Sequence, residues 1–362
     1  MSPALAAIVE RVRAANADRR PLCIRGGGTK DFYGERPSGE VLDVRSLLGT
    51  ADHEPTELVV TAPAGMPLAE LEALLAEKGQ CLAFEPPRFA PGGTVGGMVA
   101  AGLSGPSRAA AGSLRDHLLG VVLVSGTGEL MHFGGRVIKN VAGYDVSRLI
   151  AGSLGILGVI VEVSLKVLAR APAEATLRFD LKPRDALARL HAWGAQPLPL
   201  DASAWWNGNL VVRLRGAQAA VDEAVRALGG DAIAASAAAP FWQGLRDHSD
   251  PFFSAAADAI VHQDATLWRL SLPQTAPLLG LAGDELIEWH GAQRWLVTAL
   301  PALQVREAAA AVGGHAAAFR TLDKSAGVFA PLSAPLRAIH ERLKRSFDPK
   351  GILNPGRLYP GL

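Results

Sequence analysis

The sequence predicts an α+β protein of two domains, and three observations carry that expectation. Over residues 1–170 short apolar strands alternate with glycine-rich turns and a few helices. Over residues 171–325 hairpins alternate with helices, the texture of an antiparallel sheet with helices on one face. Residues 326–362 read as an amphipathic helix followed by a Pro/Gly-rich tail. With 362 residues, 49% of them hydrophobic, the chain can build two cores.

The elements follow in order. Ser2 caps a helix with Pro3 at its first position, and Leu5, Ile8, Val9 and Val12 form its buried stripe. Glu10, Arg11 and Arg13 interrupt any apolar run, so neither a signal peptide nor a membrane span is expected, and the chain reads as cytoplasmic. "LCI" is a strand that runs into "RGGGTK". "PLAELEALLAEKG" is a helix with Pro67 at its start, Leu68, Leu71 and Leu75 on one face, and Gly79 past its end. "VVLVSGTGELMHFG" is a hairpin and "GVIVEVSLKVLA" a further strand.

In the second domain "ATLRFDL" is a strand, "PRDALARLHAWG" a helix, and "SAWWNGNLVVRLRG" a hairpin turning at Asn207-Gly208. A helix near residues 221–228 follows, and the alanine-rich "DAIAASAAAP" reads as a loose surface loop. Trp205, Trp206, Trp268 and Trp295 are expected to pack the sheet. In "SAPLRAIHERLKRSFDP" a helix carries Leu336, Ile339, Leu343 and Phe347 on one face.

Composition excludes several functions. The net charge is +1 with no basic block, so no nucleic-acid footprint is expected. The two cysteines, Cys23 and Cys81, form no CxxC pair and cannot ligate an iron–sulfur cluster, which takes about four thiolates. The nine histidines show no HExxH or HxH spacing, so no metal site is expected.

Three glycine clusters need a reason, because bare backbone is entropically costly. "RGGGTK" is neither a Rossmann fingerprint, since its sixth position is Asp31 and no helix follows, nor a Walker loop, since no Gly-Lys-Ser/Thr occurs. In "PGGTVGGMVAAGLSG", Thr94 caps a helix whose first residues present main-chain amides, an anion site in the making. "AGSLGILG" precedes a strand. Three such clusters in one domain point to a shared, extended ligand.

"RGGGT", "PGGTVGGMVAAGLSG" followed by "GSLRD", "KNVAGYDVSRLIAGSLGILGVIVEVSLKVL" and "FDPKGILNPGRLY" together resemble the vanillyl-alcohol-oxidase (PCMH) type of FAD-binding flavoprotein, over essentially the whole chain. "KNVAGYDVSRL", "EWHGAQRWL" and "GVFAPLSAPL" are similar to the FAD-binding E-subunit family of bacterial glycolate oxidase (glycolate dehydrogenase). The resemblance implies a two-part FAD-binding domain followed by a cap domain. Arg25, Gly26, Gly27, Gly28, Thr29 and Lys30 would form the first pyrophosphate loop. Gly92, Gly93, Thr94, Val95, Gly96 and Gly97 would continue toward the ring. Ser104, Gly105, Gly112, Ser113, Arg115 and Asp116 would line the flavin's middle. Ser153, Gly155, Gly158, Val159 and Ile160 would meet the adenine end, and Asn354 and Arg357 would bring the tail to the isoalloxazine. Relatives with covalent flavin carry histidine where this chain has Thr29, which implies non-covalent FAD.

The implied chemistry is oxidation of glycolate to glyoxylate by a heteromeric flavoprotein. It calls for a cation to hold the carboxylate and a base for the hydroxyl proton. Arg294 and Arg320 are the candidate cations and His290 and His315 the candidate bases. Catalytic relatives carry an "HxGDGNxH" stretch, of which only "GGHAAAF" is present here. The partners implied are a paralogous catalytic FAD subunit and an iron–sulfur subunit, with possible peripheral association at the inner membrane through them. Two alternatives stay open: a self-sufficient FAD dehydrogenase for a 2-hydroxy acid such as D-lactate, and a catalytically silent flavin-binding scaffold.

Overall fold

The computed structural model describes residues 1–136 and 145–362; the first part of "KNVAGYDVSRL", residues 139–144, lies outside the described residues. The chain forms two compact units. The first comprises Met1–Leu103, Ser113–Arg170 and Pro331–Leu362, the second Ser104–Gly112 and Ala171–Ala330. Two boundaries differ from the sequence reading: residues 104–112 cluster with the second unit, and the chain returns to the first at residue 331.

In the first unit Ser2 accepts a hydrogen bond from Leu5 N and starts the helix Pro3–Asp18. Its Ile8, Val9 and Val12 bury against Leu22, Leu42, Val124, Val159 and Leu353, each worth about 1.5–3 kcal/mol of transfer from water. Strand Leu22–Arg25 pairs in parallel with Glu40–Asp43, and Leu353 of the tail adds a parallel bridge to Leu22. A five-stranded antiparallel sheet runs in the order Asp52–Glu54, Val59–Pro63, Val159–Lys166, Leu118–Val124, Leu130–Gly134. Helix Leu68–Glu77 lays Leu68, Leu71 and Leu75 on that sheet's core, as its spacing predicts. The C-terminal helix Ala334–Phe347 buries Phe347 there, but Leu336 and Ile339 stay 49% and 43% exposed.

The second unit is an eight-stranded antiparallel sheet. Its order is Asp231–Ile233, Ala173–Asp180, Asn209–Gly216, Leu200–Trp206, Asp284–Glu288, Gln293–Thr298, Thr266–Ser271, His315–Arg320. Asn207 and Gly208 both take positive φ, as the hairpin turn requires. Helices Pro183–Gly194, Gln218–Leu228 and Ala302–Ala311 cover one face through Leu190, Val221 and Val305. The expectation of helices on one face is corrected. Residues of opposite parity on the strands, Thr176 and Trp295, meet helices Ala235–Asp247 and Pro251–His262 through Trp242 and Phe253. The stretch read as a loose loop is thus a short strand and a helix. Alanine is the strongest helix former, and Pro240 removes only one main-chain hydrogen bond.

Candidate functional site

A pocket in the first unit collects three separated segments: residues 23–31, the Thr94–Ala101 region, and residues 154–160 with the tail's Asn354 and Arg357. The first wall begins where strand Leu22–Arg25 ends. Gly28 takes φ +71 and its carbonyl accepts from Asp31 N at 3.1 Å, folding the loop back on itself. Among the described residues, the N–H groups of Gly26, Gly27, Gly28 and Thr29 donate to no protein acceptor. Four successive unpaired amides make a concave anion receptor. Arg25 stands at the mouth, paired to Asp31 at 2.7 Å, and Lys30 lies over the Phe89 ring.

The second wall differs from expectation. Thr94 caps helix Val95–Ala101, accepting from Gly97 N at 3.1 Å, while Val95 N donates to Met66 O and Gly96 N to Ala64 O. The first amides of this helix are therefore spent inside the protein. Its small residues serve close packing instead: a Cβ on Gly96 would sit 2.8 Å from Ala64 Cβ. Thr94, Gly96 and Gly97 still line the pocket, whereas Val95 is a core residue and Gly92 and Gly93 back onto Gly27.

On the third wall Gly155, Gly158 and Ile160 line the pocket; Val159 is fully buried in the core, and Ser153 is buried with its N–H on Ile150 O. Asn354, φ +43, joins three segments: its Oδ1 accepts from Ile24 N at 2.6 Å, its Nδ2 donates to Leu154 O at 2.7 Å, and its N–H donates to Leu22 O. Gly155 is bare because a Cβ would lie 2.7 Å from that Nδ2. Arg357 donates to the carbonyls of Lys30, Asp31 and Glu35, so it ties down the first loop, and burial lowers its pKa. The sequence reading missed Cys23, Pro37, Val44 and Leu154, which line the pocket from the edges of predicted elements.

Beyond Gly92, Gly93, Val95, Ser153 and Val159, six more expected residues do not line this pocket. Ser104, Gly105 and Gly112 belong to the second unit; there Trp289 Nε1 donates to Gly105 O at 3.0 Å and Gly112 ends a short helix. Ser113 and Asp116 form a reciprocal helix cap, and the exposed Arg115 reaches Ala151 O at 3.5 Å.

The pocket fits a dinucleotide's chemistry. Unpaired main-chain donors and two cations suit a diphosphate, and Ile24, Val44, Leu154 and Ile160 suit flat rings. Comparison with known proteins agrees. The family model described as "FAD binding domain" matches residues 4–134. Glycolate oxidase subunit GlcE of Escherichia coli (strain K12) is 44% identical over 98% of this chain and 97% of its own length. The chain belongs to that family. A D-2-hydroxyglutarate dehydrogenase of Xanthomonas citri pv. viticola is 32% identical over 72% of this chain and 57% of its own. A solved structure of alkyldihydroxyacetonephosphate synthase shares the fold, with TM-score 0.64 at 15% identity over 97% of this chain and 74% of its own.

Within this family member, the four candidates of the second unit do not converge. Arg294 is fully buried and donates to Ala276 O at 2.7 Å and Pro277 O at 2.8 Å, so it supports a loop rather than holding a substrate carboxylate. His315 and Arg320 stand at opposite ends of one strand, roughly 16 Å apart by strand rise. Burial lowers the pKa of each, and nearby Arg269 adds to the effect on His315. His290 lies in a left-handed turn at φ +57, next to Trp289 at φ +52; its N–H donates to Ser203 Oγ, and its Nε2 has no partner among the described residues. Burial pushes its pKa down to about 4, so it is neutral at physiological pH. Among the described residues no group of three His, Cys, Asp or Glu is placed to hold a metal, and no helix is long and apolar enough to cross a membrane.

Proposed function

We propose that this chain is the FAD-binding subunit of a multi-subunit glycolate oxidase that converts glycolate to glyoxylate. The supporting observation is the run of unpaired amides, Gly26 to Thr29, set beside Arg25 and Lys30 in a pocket with an apolar far wall. The main-chain donors bind the diphosphate, with the cations balancing its charge. Asn354 holds the tail wall against the first loop, and Arg357 fixes the loop's carbonyls so that its amides face the ligand. When bound, FAD supplies two-electron redox chemistry. Thr29 offers no nucleophilic nitrogen, so the cofactor is held non-covalently.

With two cysteines the chain supplies too few thiolates for a cluster of its own, so electrons leave the flavin for another protein or a diffusible acceptor, and the family points to a protein. We assign that role to an iron–sulfur subunit, joined by a paralogous FAD subunit. The assembly is cytoplasmic and touches the inner membrane only through partners. The scattering of His290, Arg294, His315 and Arg320 favours a second reading, in which the paralogous subunit's FAD meets the substrate and this one relays or stabilises.

Freshly purified chain is expected to show flavin absorbance and to lose the colour to the supernatant on acid precipitation. Glycolate should bleach the flavin, and with a dye acceptor added should reduce the dye, only when the partner subunits are present. Colourless protein after FAD reconstitution refutes the FAD reading. Bleaching of the isolated chain by glycolate or D-lactate refutes the dependence on partners and selects the self-sufficient dehydrogenase.

A further inference from the structure

A buried charge pair sits directly behind the pocket's third wall. Lys344, in the last turn of helix Ala334–Phe347, is 6% exposed, and all three ammonium protons are engaged. They go to Ile156 O at 2.8 Å, Leu353 O at 2.7 Å and Asp348 Oδ2 at 2.7 Å. Asp348, 1% exposed, accepts from Ile352 N through Oδ1 at 3.1 Å and from Leu353 N through Oδ2 at 2.7 Å. Glycine at position 126 leaves room for the pair, since a Cβ there would collide with the Asp348 carboxylate.

The two carbonyls that Lys344 holds adjoin residues that line the pocket. Ile156 follows Gly155 and precedes Gly158, and Leu353 immediately precedes Asn354. A buried ion pair is weak as a source of stability, because removing two charges from water offsets most of their attraction. An apolar side chain of the stem's length would fill the space but leave the buried Asp348 carboxylate without its cation. What it lacks is the ability to hold two main-chain acceptors from different segments at one atom. We propose that Lys344, oriented by Asp348, is a positioning residue for the cofactor pocket: it sets the spacing between residues 154–158 and 352–357, and through that spacing the affinity for FAD. The inference rests on the FAD reading above and deepens it.

The test uses full-length apoprotein titrated with FAD by quenching of flavin fluorescence, with thermal melts without FAD and hydrogen–deuterium exchange of residues 348–357. Lys344→Met keeps the stem's length and removes the charge; it is expected to weaken FAD binding at least tenfold and to raise exchange in that segment. Leu75→Ala, a control in the core under helix Leu68–Glu77, is expected to lower the melting temperature while leaving the Kd within twofold. Asp348→Asn keeps an acceptor for Leu353 N and disorients Lys344, so it should weaken FAD binding in the same direction and stands in if Lys344→Met does not fold. A variant of either residue that melts earlier yet binds FAD like wild type overturns the proposal. Failure of wild-type apoprotein to bind FAD overturns instead the reading on which it rests.

Discussion

Gly27→Ala probes the pocket at its tightest approach. A Cβ there would stand 2.6 Å from the Gly92 carbonyl carbon and nearer still to the oxygen, against about 3.5–4.0 Å for relaxed carbon contacts. The obstacle is main chain on both sides, so no rotamer change relieves it, and the two loops must part by about 1 Å or more. Such overpacking costs about 1–3 kcal/mol. A hydrogen bond of about 2.9 Å stretched by that amount is effectively lost. If two charge-assisted bonds to the diphosphate go, at about 1.5 kcal/mol each, FAD binding weakens by about 100-fold. Titrating apoprotein with FAD reads the affinity, and melts of the same apoprotein read the folding cost separately. Gly97→Ala provides a graded comparison, because its Cβ would meet only the Thr94 hydroxyl, at 3.1 Å, and a small shift relieves it. A Gly27→Ala variant with wild-type FAD affinity would refute the two-loop receptor.

Three further outcomes are expected. Asn354→Asp keeps the acceptor for Ile24 N but turns a carboxylate oxygen toward Leu154 O, a buried clash of acceptors costing about 2–4 kcal/mol; urea unfolding should show the deficit at pH 7 and its shrinkage at pH 4, where a protonated acid can donate again. His290, whose pKa is depressed from 6.5 to about 4, binds a proton in the unfolded chain before it does in the folded one. Stability is therefore fully present above pH 6.5 and lost as pH falls toward 4, by about 3 kcal/mol for this group; melts of His290→Gln should show a shallower acid slope than wild type, and an unchanged slope would refute the assignment. Arg294→Met strands the buried carbonyl of Ala276 and removes the donor to Pro277 O, and should destabilise the protein by about 1–3 kcal/mol, with FAD affinity unchanged in fluorescence titration.

The sequence was most legible where one local rule had no competitor. Ser2-Pro3, the leucines of "PLAELEALL" and Asn207-Gly208 each specify their element through capping, periodicity or turn sterics, and each forms as read. The glycine clusters were read for the right place and partly for the wrong reason. Gly96 and Gly155 are bare because Ala64 and Asn354 press against them, and among the described residues the 26–29 loop leaves four successive amides open. That difference depends on contacts between residues far apart in the chain. The same holds for Arg294, whose partners are carbonyls 17 and 18 positions away, whereas Asp116 is taken up locally, by the cap residue Ser113 three positions before it. The helix Ala235–Asp247 was missed because an alanine run has no apolar periodicity to display, although its intrinsic propensity already favoured helix.

The bond between Ile24 N and the Asn354 side chain spans 330 positions, nearly the whole length of the polypeptide. On a ribosome, the glycine loop emerges long before the segment that closes the cavity around it. Flavin capture must then wait until translation has passed residue 354, so a stalled or truncated product would be released colourless, and yellow colour would report on molecules synthesised through to that point.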